Sequence, residues 1–487
     1  MTFSLKNPAL LVQHAYIGGQ WVGASSGATM PVDNPATGAV IGTIPDCGEA
    51  DTQAAIDAAQ AAWPAWRART AGDRAALLER WHALVMDHVA DLGHIMTAEQ
   101  GKPVAEAEGE IRYAASFIKW FAEEGRRIDG AIIPAPEANR RILILKEPVG
   151  VSAAITPWNF PAAMITRKCA PALAAGCPVV VKPSELTPFS ALALVKLAEE
   201  AGFPAGVINI VTGQAAPIGA ALTGSETVRK LSFTGSTRVG ALLMRQSADT
   251  IKRLSLELGG NAPLLVFDDA DLDLAVAATM ASKFRNAGQT CVCANRILVQ
   301  DSVYEAFAEK LAAAVSALKV APGDQDGSTI GPLINRAAVE KVAAHVEDAL
   351  AHGATIFAQA PEGATGERFA TPLILTGATR DMRLASEETF GPVAPLFRFH
   401  DEAEGIALAN DTSFGLASYF YTENLHRAFR VGERLEAGMV VLNTGGMAME
   451  MAPFGGIKQS GLGREGAHAG IEEYLETKAF HIGGLKL

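Results

Sequence analysis

The sequence predicts an α/β fold built on an open, doubly wound sheet. Two observations carry this. From Val149 onward, short apolar strands and helices alternate, as parallel sheets require. Pro178-Val179-Val180-Val181 is apolar throughout, the pattern of a strand buried on both faces. A second alternating region follows Leu258, so two α/β domains are expected. A chain of 487 residues, 49% of them hydrophobic, can pack that many.

The elements follow in order. Residues 16–22 read as a hairpin turning at Gly18-Gly19. Residues 34–38 are a second turn. Asp51 caps an alanine-rich helix reaching about Arg67. Leu77, Leu78, Trp81, Leu84 and Val85 recur at helical spacing and predict one helix over 73–99, and a third helix covers 104–124. These helices read as cover for a sheet, without chemistry of their own. Strands follow at 149–155, 178–181, 207–211 and 230–233, separated by a turn at 158–161 and helices over 163–175 and 190–201. Thr234-Gly235-Ser236 opens a helix to about Ala248. The second region has strands at 264–267, 297–299, 393–397 and 439–443, with helices over 272–284 and 303–318. Segments 141–147 and 479–487 are β-like and fit neither sheet. They are expected to pair with each other or with another subunit.

The net charge of -12 argues against a nucleic-acid partner. Residues 1–8 lack a basic region followed by an apolar core, so no signal peptide is expected. No apolar run reaches the roughly 18 residues needed to cross a bilayer. Five cysteines in so long a chain do not suggest a disulfide framework. The expectation is a cytoplasmic protein without membrane contact.

The chemistry centres on Gly288-Gln289-Thr290-Cys291-Val292-Cys293, a loop between a helix and a strand. A thiolate there would attack a carbonyl carbon, and an aldehyde is the expected electrophile. Three other readings exist: a small buried hydrophobe, half a metal site, or a Cys-His hydrolase. Cys47, Cys169 and Cys177 supply no second ligand pair, so no metal is expected. A distant histidine leaves the hydrolase open. Glu257, at an apolar strand end, would have its pKa raised by burial into the range of a useful base. Asn159 could donate its amide to an oxyanion together with the Cys291 N–H. Lys182-Pro183-Ser184-Glu185 follows a buried strand, where a carboxylate can accept ribose hydroxyls and repel a 2′-phosphate. Gly235 allows close backbone approach, and the helix after it offers free N–H groups to phosphate.

Read together, Thr156-Pro157-Trp158-Asn159-Phe160-Pro161, Lys182-Pro183-Ser184-Glu185, Phe233-Thr234-Gly235-Ser236, Leu256-Glu257-Leu258-Gly259-Gly260, Gly288-Gln289-Thr290-Cys291, Glu388-Thr389-Phe390-Gly391-Pro392 and Pro453-Phe454-Gly455-Gly456 resemble the aldehyde dehydrogenase superfamily, in its order and spacing across essentially the whole chain. The resemblance implies a Rossmann-type cofactor domain (1–124 and 148–257), a catalytic domain (258–458) and a small β oligomerisation element (125–147 and 471–487). It implies Cys291 as nucleophile forming a thiohemiacetal and then a thioester, Asn159 and the Cys291 amide as oxyanion donors, and Glu257 as the base that activates water. For the cofactor it implies Trp158, Lys182, Ser184, Glu185, Gly213, Gly235, Ser236, Leu258, Glu388 and Phe390. NAD is expected from Glu185, with NADP as a weaker cosubstrate. A homo-oligomer, dimer or dimer of dimers, is expected.

Met164-Ile165-Thr166-Arg167-Lys168, Phe284-Arg285-Asn286, Cys291-Val292-Cys293-Ala294-Asn295-Arg296 and Gly461-Leu462-Gly463-Arg464-Glu465-Gly466 look most like succinate-semialdehyde dehydrogenases. That likeness implies that Arg167 and Arg285 clamp a distal carboxylate, with Phe454 beside it. Ala448 stands where that subfamily usually has a serine. Glutarate semialdehyde and sulfolactaldehyde are therefore alternatives to succinate semialdehyde, and a CoA-acylating or non-catalytic member of the fold is a further one. Cys293 is a redox candidate, able to cap Cys291 as a disulfide.

Overall fold

The computed structural model describes residues 5–486. Residues 1–4 of the segment read for a leader, and Leu487 of the C-terminal β-like segment, lie outside them.

The first sheet has eight strands. Five are parallel neighbours, ordered Arg253–Glu257, Val228–Thr234, Val151–Ile155, Val179–Lys182 and Ile208–Ile210. Counted along the chain, the order from the far edge is third, second, first, fourth, fifth, which is the doubly wound arrangement. Side-chain alternation explains why these stretches are apolar throughout. Val179 and Val181 enter the core under the helices Ala71–Asp87, Val104–Glu124, Ala163–Ala175 and Pro188–Ala201, while Val180 enters the core on the opposite face. The hairpin Ala15–Ile17 and Gln20–Val22 extends one edge, with Gly18 and Gly19 at φ of +60° and +85°. Gly461–Leu462 extends the other edge, antiparallel to Arg253–Glu257.

The second sheet has seven strands, ordered Thr355–Gln359, Leu373–Ala378, Val393–Phe399, Ala294–Gln300, Ala262–Val266, Ala417–Tyr421 and Met439–Leu442. It has its own core. The two unplaced β-like segments do pair. Leu475–Ile482 runs antiparallel to Arg141–Pro148, from Leu475 opposite Pro148 to Ile482 opposite Arg141, and Ala131–Ile133 adds a third strand. No helix among the described residues is long and apolar enough to cross a membrane.

Three local expectations need correcting. Asp51 is not the cap of its helix: Glu49–Arg67 is capped by Gly48, and Asp51, three residues in, accepts the Gly48 N–H at 3.0 Å. The helix over 73–99 is two, Ala71–Asp87 and Val89–Gln100, broken at His88. The apolar period runs on through Leu92, Ile95 and Met96, so periodicity does not see a one-residue break. The turn at 34–38 joins an unforeseen strand pair, Thr29–Asp33 with Val40–Pro45.

Candidate active site

Strands Val151–Ile155 and Val228–Thr234 are neighbours where the strand order reverses. The loops leaving their carboxyl ends diverge, which opens a crevice for ligands. A cavity of about 280 Å³ occupies it. Pro157, Trp158 and Asn159 line it from one loop, and Thr234, Gly235 and Ser236 from the other. Leu258, Gly259, Cys291, Glu388 and Phe390 close the far side, with Ala338 and Lys341 from the helix Arg336–Ala351. Lys341 donates to the Glu388 carbonyl at 2.5 Å. That helix was not foreseen from sequence.

The crevice suits a dinucleotide. A Cβ on Gly235 would stand 2.4 Å from the Phe233 ring, so glycine lets this turn pack closely on that ring. Ser236 caps the helix Thr237–Ser247 through Val239 N at 3.4 Å, leaving other first-turn N–H groups for an anion. The Trp158 and Phe390 rings meet edge to face at 5.6 Å. Glu388 accepts the Gly260 N–H at 3.3 Å, and burial lifts its pKa to about 7. The Leu258 N–H is committed to the Ser460 carbonyl at 3.0 Å, so only its carbonyl is free to meet a carboxamide. Lys182, Ser184, Glu185 and Gly213 lie outside this cavity's lining. Lys182 pairs with Glu185 at 2.5 Å, Ser184 Oγ accepts the Leu186 N–H at 3.2 Å, and Gly213 backs onto Asp46–Cys47.

The loop carrying Cys291 is held in an unusual shape. Asn286, Ala287 and Gly288 have φ of +51°, +54° and +76°. Two of the three bear side chains, each costing roughly 1–2 kcal/mol in this conformation. Asn286 offsets the cost. Its N–H donates to Glu106 at 2.8 Å, its Oδ1 accepts from Gln100 at 2.9 Å, and its Nδ2 donates to the Asn159 carbonyl at 3.0 Å. Lys102 donates to the same carbonyl at 2.8 Å. The Asn159 side chain donates one N–H to the Gln289 carbonyl at 3.0 Å, which leaves its second N–H for a ligand. The Cys291 loop and the Asn159 loop are thus joined by buried hydrogen bonds.

Cys291 is partly accessible from the cavity. Burial, then the Glu388 charge, pushes its thiol up to about 12, opposed by Arg167. Glu257 is 3% exposed, and neither carboxyl oxygen has a hydrogen-bond partner. Burial and the neighbouring Glu465 charge raise its pKa well above the carboxylate range. A Cβ on Gly455 would stand 2.9 Å from Glu257 Oε1, so this glycine leaves the carboxyl its room.

Arg167 is 2% exposed. Its guanidinium lies 3.9 Å over the Phe454 ring, and Nη2 stands 2.9 Å from Glu465 without hydrogen-bond alignment. Among the described residues Nε has no hydrogen-bond partner, and Nη2 has only the Glu465 ion pair. Arg285 is exposed, 4.8 Å over the Phe160 ring. It lines a second cavity of about 320 Å³ with Lys102, Glu106, Glu110, Tyr113, Phe160 and Ala448, in which Arg167 has no part. Cys293 is buried, with Lys283 Nζ 3.3 Å from its sulfur. Sequence reading gave no role to Lys102, Glu106, Glu110, Tyr113, Lys168 or Glu465. The pairing of two adjacent cations, Arg167 and Lys168, in an otherwise apolar helix was the signal available.

A sequence profile described as the aldehyde dehydrogenase family matches residues 21–480. A glutarate-semialdehyde dehydrogenase of Pseudomonas putida is 60% identical over 476 residues, covering 97% of this chain and 98% of the relative. A 3-sulfolactaldehyde dehydrogenase of Pseudomonas putida is 58% identical, covering 99% of each. The NADP-dependent succinate-semialdehyde dehydrogenase of Escherichia coli is 59% identical, covering 98% and 99%. The solved structure of succinate-semialdehyde dehydrogenase from Burkholderia pseudomallei superposes with a TM-score of 0.98 at 60% identity, covering 99% of this chain and 100% of that one. Betaine aldehyde dehydrogenase from Staphylococcus aureus, in complex with NAD+, gives 0.94 at 35%, covering 97% and 95%.

Proposed function

This chain belongs to the aldehyde dehydrogenase family, and from that premise we propose that it oxidises a short aldehyde carrying a distal anion, with succinate semialdehyde as the first candidate. One observation carries the substrate class. A buried guanidinium, Arg167, pairs with Glu465 through Nη2 and keeps Nε without a hydrogen-bond partner among the described residues, and it stacks on Phe454, next to the Gly455 that faces Glu257. A buried cation with a free N–H suits an anion and offers nothing to a neutral chain. Arg285, at the mouth of the second cavity, adds a second positive charge.

The nicotinamide cofactor, when bound, supplies the hydride acceptor. Trp158, Gly235, Ser236, Leu258, Glu388 and Phe390 would hold its nicotinamide half and phosphates, while Lys182, Ser184, Glu185 and Gly213 would hold the adenosine half. Cys291, as thiolate, bonds to the aldehyde carbon, and the carbonyl electron pair moves onto oxygen. The second Asn159 N–H and the Cys291 N–H receive that oxygen. Loss of hydride leaves the acyl group on Cys291 as a thioester. Glu257, once ionised, takes a proton from water, whose oxygen bonds to the acyl carbon and releases the acid and the thiol. In this reading the eight-stranded sheet is the cofactor part, the seven-stranded sheet the catalytic part, and the three-stranded sheet an oligomerisation element. Exposed Ile132, Ile133, Leu145 and Phe480 on that sheet support a homo-oligomer.

NAD is the proposed cosubstrate. The Lys182–Glu185 pair weakens the argument from Glu185 repulsion alone, since the lysine offsets the charge a 2′-phosphate would meet. Ala448 lines the second cavity and brings no hydroxyl for a distal anion, which keeps glutarate semialdehyde and sulfolactaldehyde as the alternative substrates.

Purified protein with NAD, offered succinate semialdehyde, glutarate semialdehyde, sulfolactaldehyde and butanal, tests the reading. Free acid should form without CoA, and kcat/KM for an anionic aldehyde should exceed that for butanal by at least about tenfold. A preference for butanal refutes the arginine argument. A CoA requirement refutes the hydrolytic step.

A further inference from the structure

The second cavity is walled by one face of the helix Val104–Glu124, where Glu106, Glu110 and Tyr113 follow at three- and four-residue spacing. Both acids are spent internally. Glu106 accepts the Asn286 N–H at 2.8 Å. Glu110 accepts from Lys102 at 2.5 Å and from the Ala162 and Ala163 N–H groups at 3.0 and 3.2 Å. Tyr113 is different. Its ring packs edge-on to Phe117 at 5.0 Å, and its hydroxyl is buried with no hydrogen-bond partner. A phenylalanine would fill that space without leaving a polar atom unbonded, so the oxygen calls for a reason.

Its surroundings supply one. Burial raises the phenol pKa, so the group is a donor at neutral pH, and the charges acting on it are Arg167, Arg285, Glu465 and the Cys291 thiol. Tyr113 lines the second cavity with Arg285, and the Phe117 ring it packs against also carries the Arg167 guanidinium, at 5.5 Å. Arg167 Nε likewise has no hydrogen-bond partner among the described residues. The Tyr113 hydroxyl and Arg167 Nε, on side chains that share Phe117, are donors without an acceptor among the described residues, and the Ala448 side chain on the cavity wall can offer neither donor nor acceptor. What this set lacks is a compact anion with several oxygens.

We propose that Tyr113 is a specificity-determining residue whose hydroxyl donates to the distal carboxylate or sulfonate of the substrate, beside Arg167 and Arg285. The proposal rests on the anionic-aldehyde reading above.

Tyr113→Phe removes the oxygen and keeps the ring. A hydrogen bond to a charged group corresponds to roughly a ten- to hundredfold effect. The variant should lose that much kcat/KM for succinate semialdehyde, chiefly through KM, while butanal turnover stays within about twofold. Its Tm should hold or rise, because an unbonded hydroxyl leaves the interior. In the Tyr113→Phe background, Ala448→Ser should recover part of the lost affinity by returning a hydroxyl to the same cavity. Equal losses on both aldehydes, no loss on either, or a lowered Tm each overturn the proposal. If the wild type itself does not prefer anionic aldehydes, the preceding reading fails; if it does and Tyr113→Phe keeps the preference, only this inference fails.

Discussion

Glu257→Gln separates two consequences of one carboxyl. Neither Glu257 oxygen has a protein partner, so the substitution breaks no hydrogen bond and nearly conserves volume. Positioned general bases contribute roughly 10²–10⁴ in rate, about 2.7–5.4 kcal/mol of barrier. Steady-state turnover should fall by that factor. Hydride transfer precedes hydrolysis, so a rapid-mixing experiment should still show a burst approaching one reduced cofactor per site, followed by a slow phase. The same substitution should alter stability in a pH-dependent way. Burial and Glu465 raise the folded pKa of Glu257 above its ordinary 4.5. Folding therefore takes up a proton above pH 4.5, and stability falls as pH rises from there through the folded pKa. Glutamine cannot ionise, so the variant should gain Tm relative to the wild type between pH 6 and 9. Turnover within about threefold of wild type would refute the base assignment. A Tm gap that does not widen with pH would refute the claim that the carboxyl is buried without compensation.

With the Cys291 thiol at about 12, iodoacetamide should alkylate the cofactor-free protein slowly at neutral pH, roughly tenfold faster per pH unit up to pH 10; a plateau near pH 8 would contradict this. Glu185→Ser should move the NAD to NADP ratio of kcat/KM toward NADP by roughly tenfold, with an unchanged ratio counting against its ribose contact. Asn286→Ala removes two donors and an acceptor from the nucleophile loop and leaves an alanine at φ of +51°, so Tm should drop by the equivalent of about 2–4 kcal/mol and turnover with it. If Cys293 caps Cys291 under peroxide, Cys293→Ser should lose the thiol-reversible part of the inactivation; equal reversibility in both proteins ends that idea.

The parallel strands were legible because burial on both faces leaves an unbroken apolar run, as at Val179–Lys182. The helix Val104–Glu124 was legible in its bounds but not in its use. Its apolar period accounts for the core face, and the polar residues beside that face read as a solvated edge. Only the tertiary fold brings Asn286 to Glu106 and to Gln100, 186 residues earlier. Cys291, Glu257 and Asn159 stood out because each closes a strand or opens a loop with chemistry its neighbours do not need. The helix Ala215–Gly224 was hidden by an internal proline and two glycines, and Arg336–Ala351 by a polar, alanine-rich sequence whose apolar side is narrow.

The two arginine expectations met different fates in the fold, and the reason lies with Glu465. Arg167 and Lys168 are consecutive, yet both approach this carboxylate, at 2.9 and 2.5 Å, and Lys168 also reaches Thr234 at 2.5 Å. Burial alone would raise Glu465, but Lys168 and Arg167 hold it below the usual carboxylate range. Glu257 stands in the same field without a hydrogen bond, and the Glu465 charge adds to burial in raising it. The pKa values of two buried carboxyls are thereby driven apart, Glu465 downward and Glu257 upward. Removing Glu465 would therefore strip Arg167 and Lys168 of their counter-ion and lower Glu257 at once. Arg167 faces in two directions by the same logic: Nη2 steadies the Glu465 anion, and Nε has no hydrogen-bond partner among the described residues, which in the proposed reading leaves it for the anion of the substrate. If the proposed function holds, the choice of aldehyde and the strength of the base are set through one side chain, which would give a reason to bury a guanidinium here despite its desolvation cost.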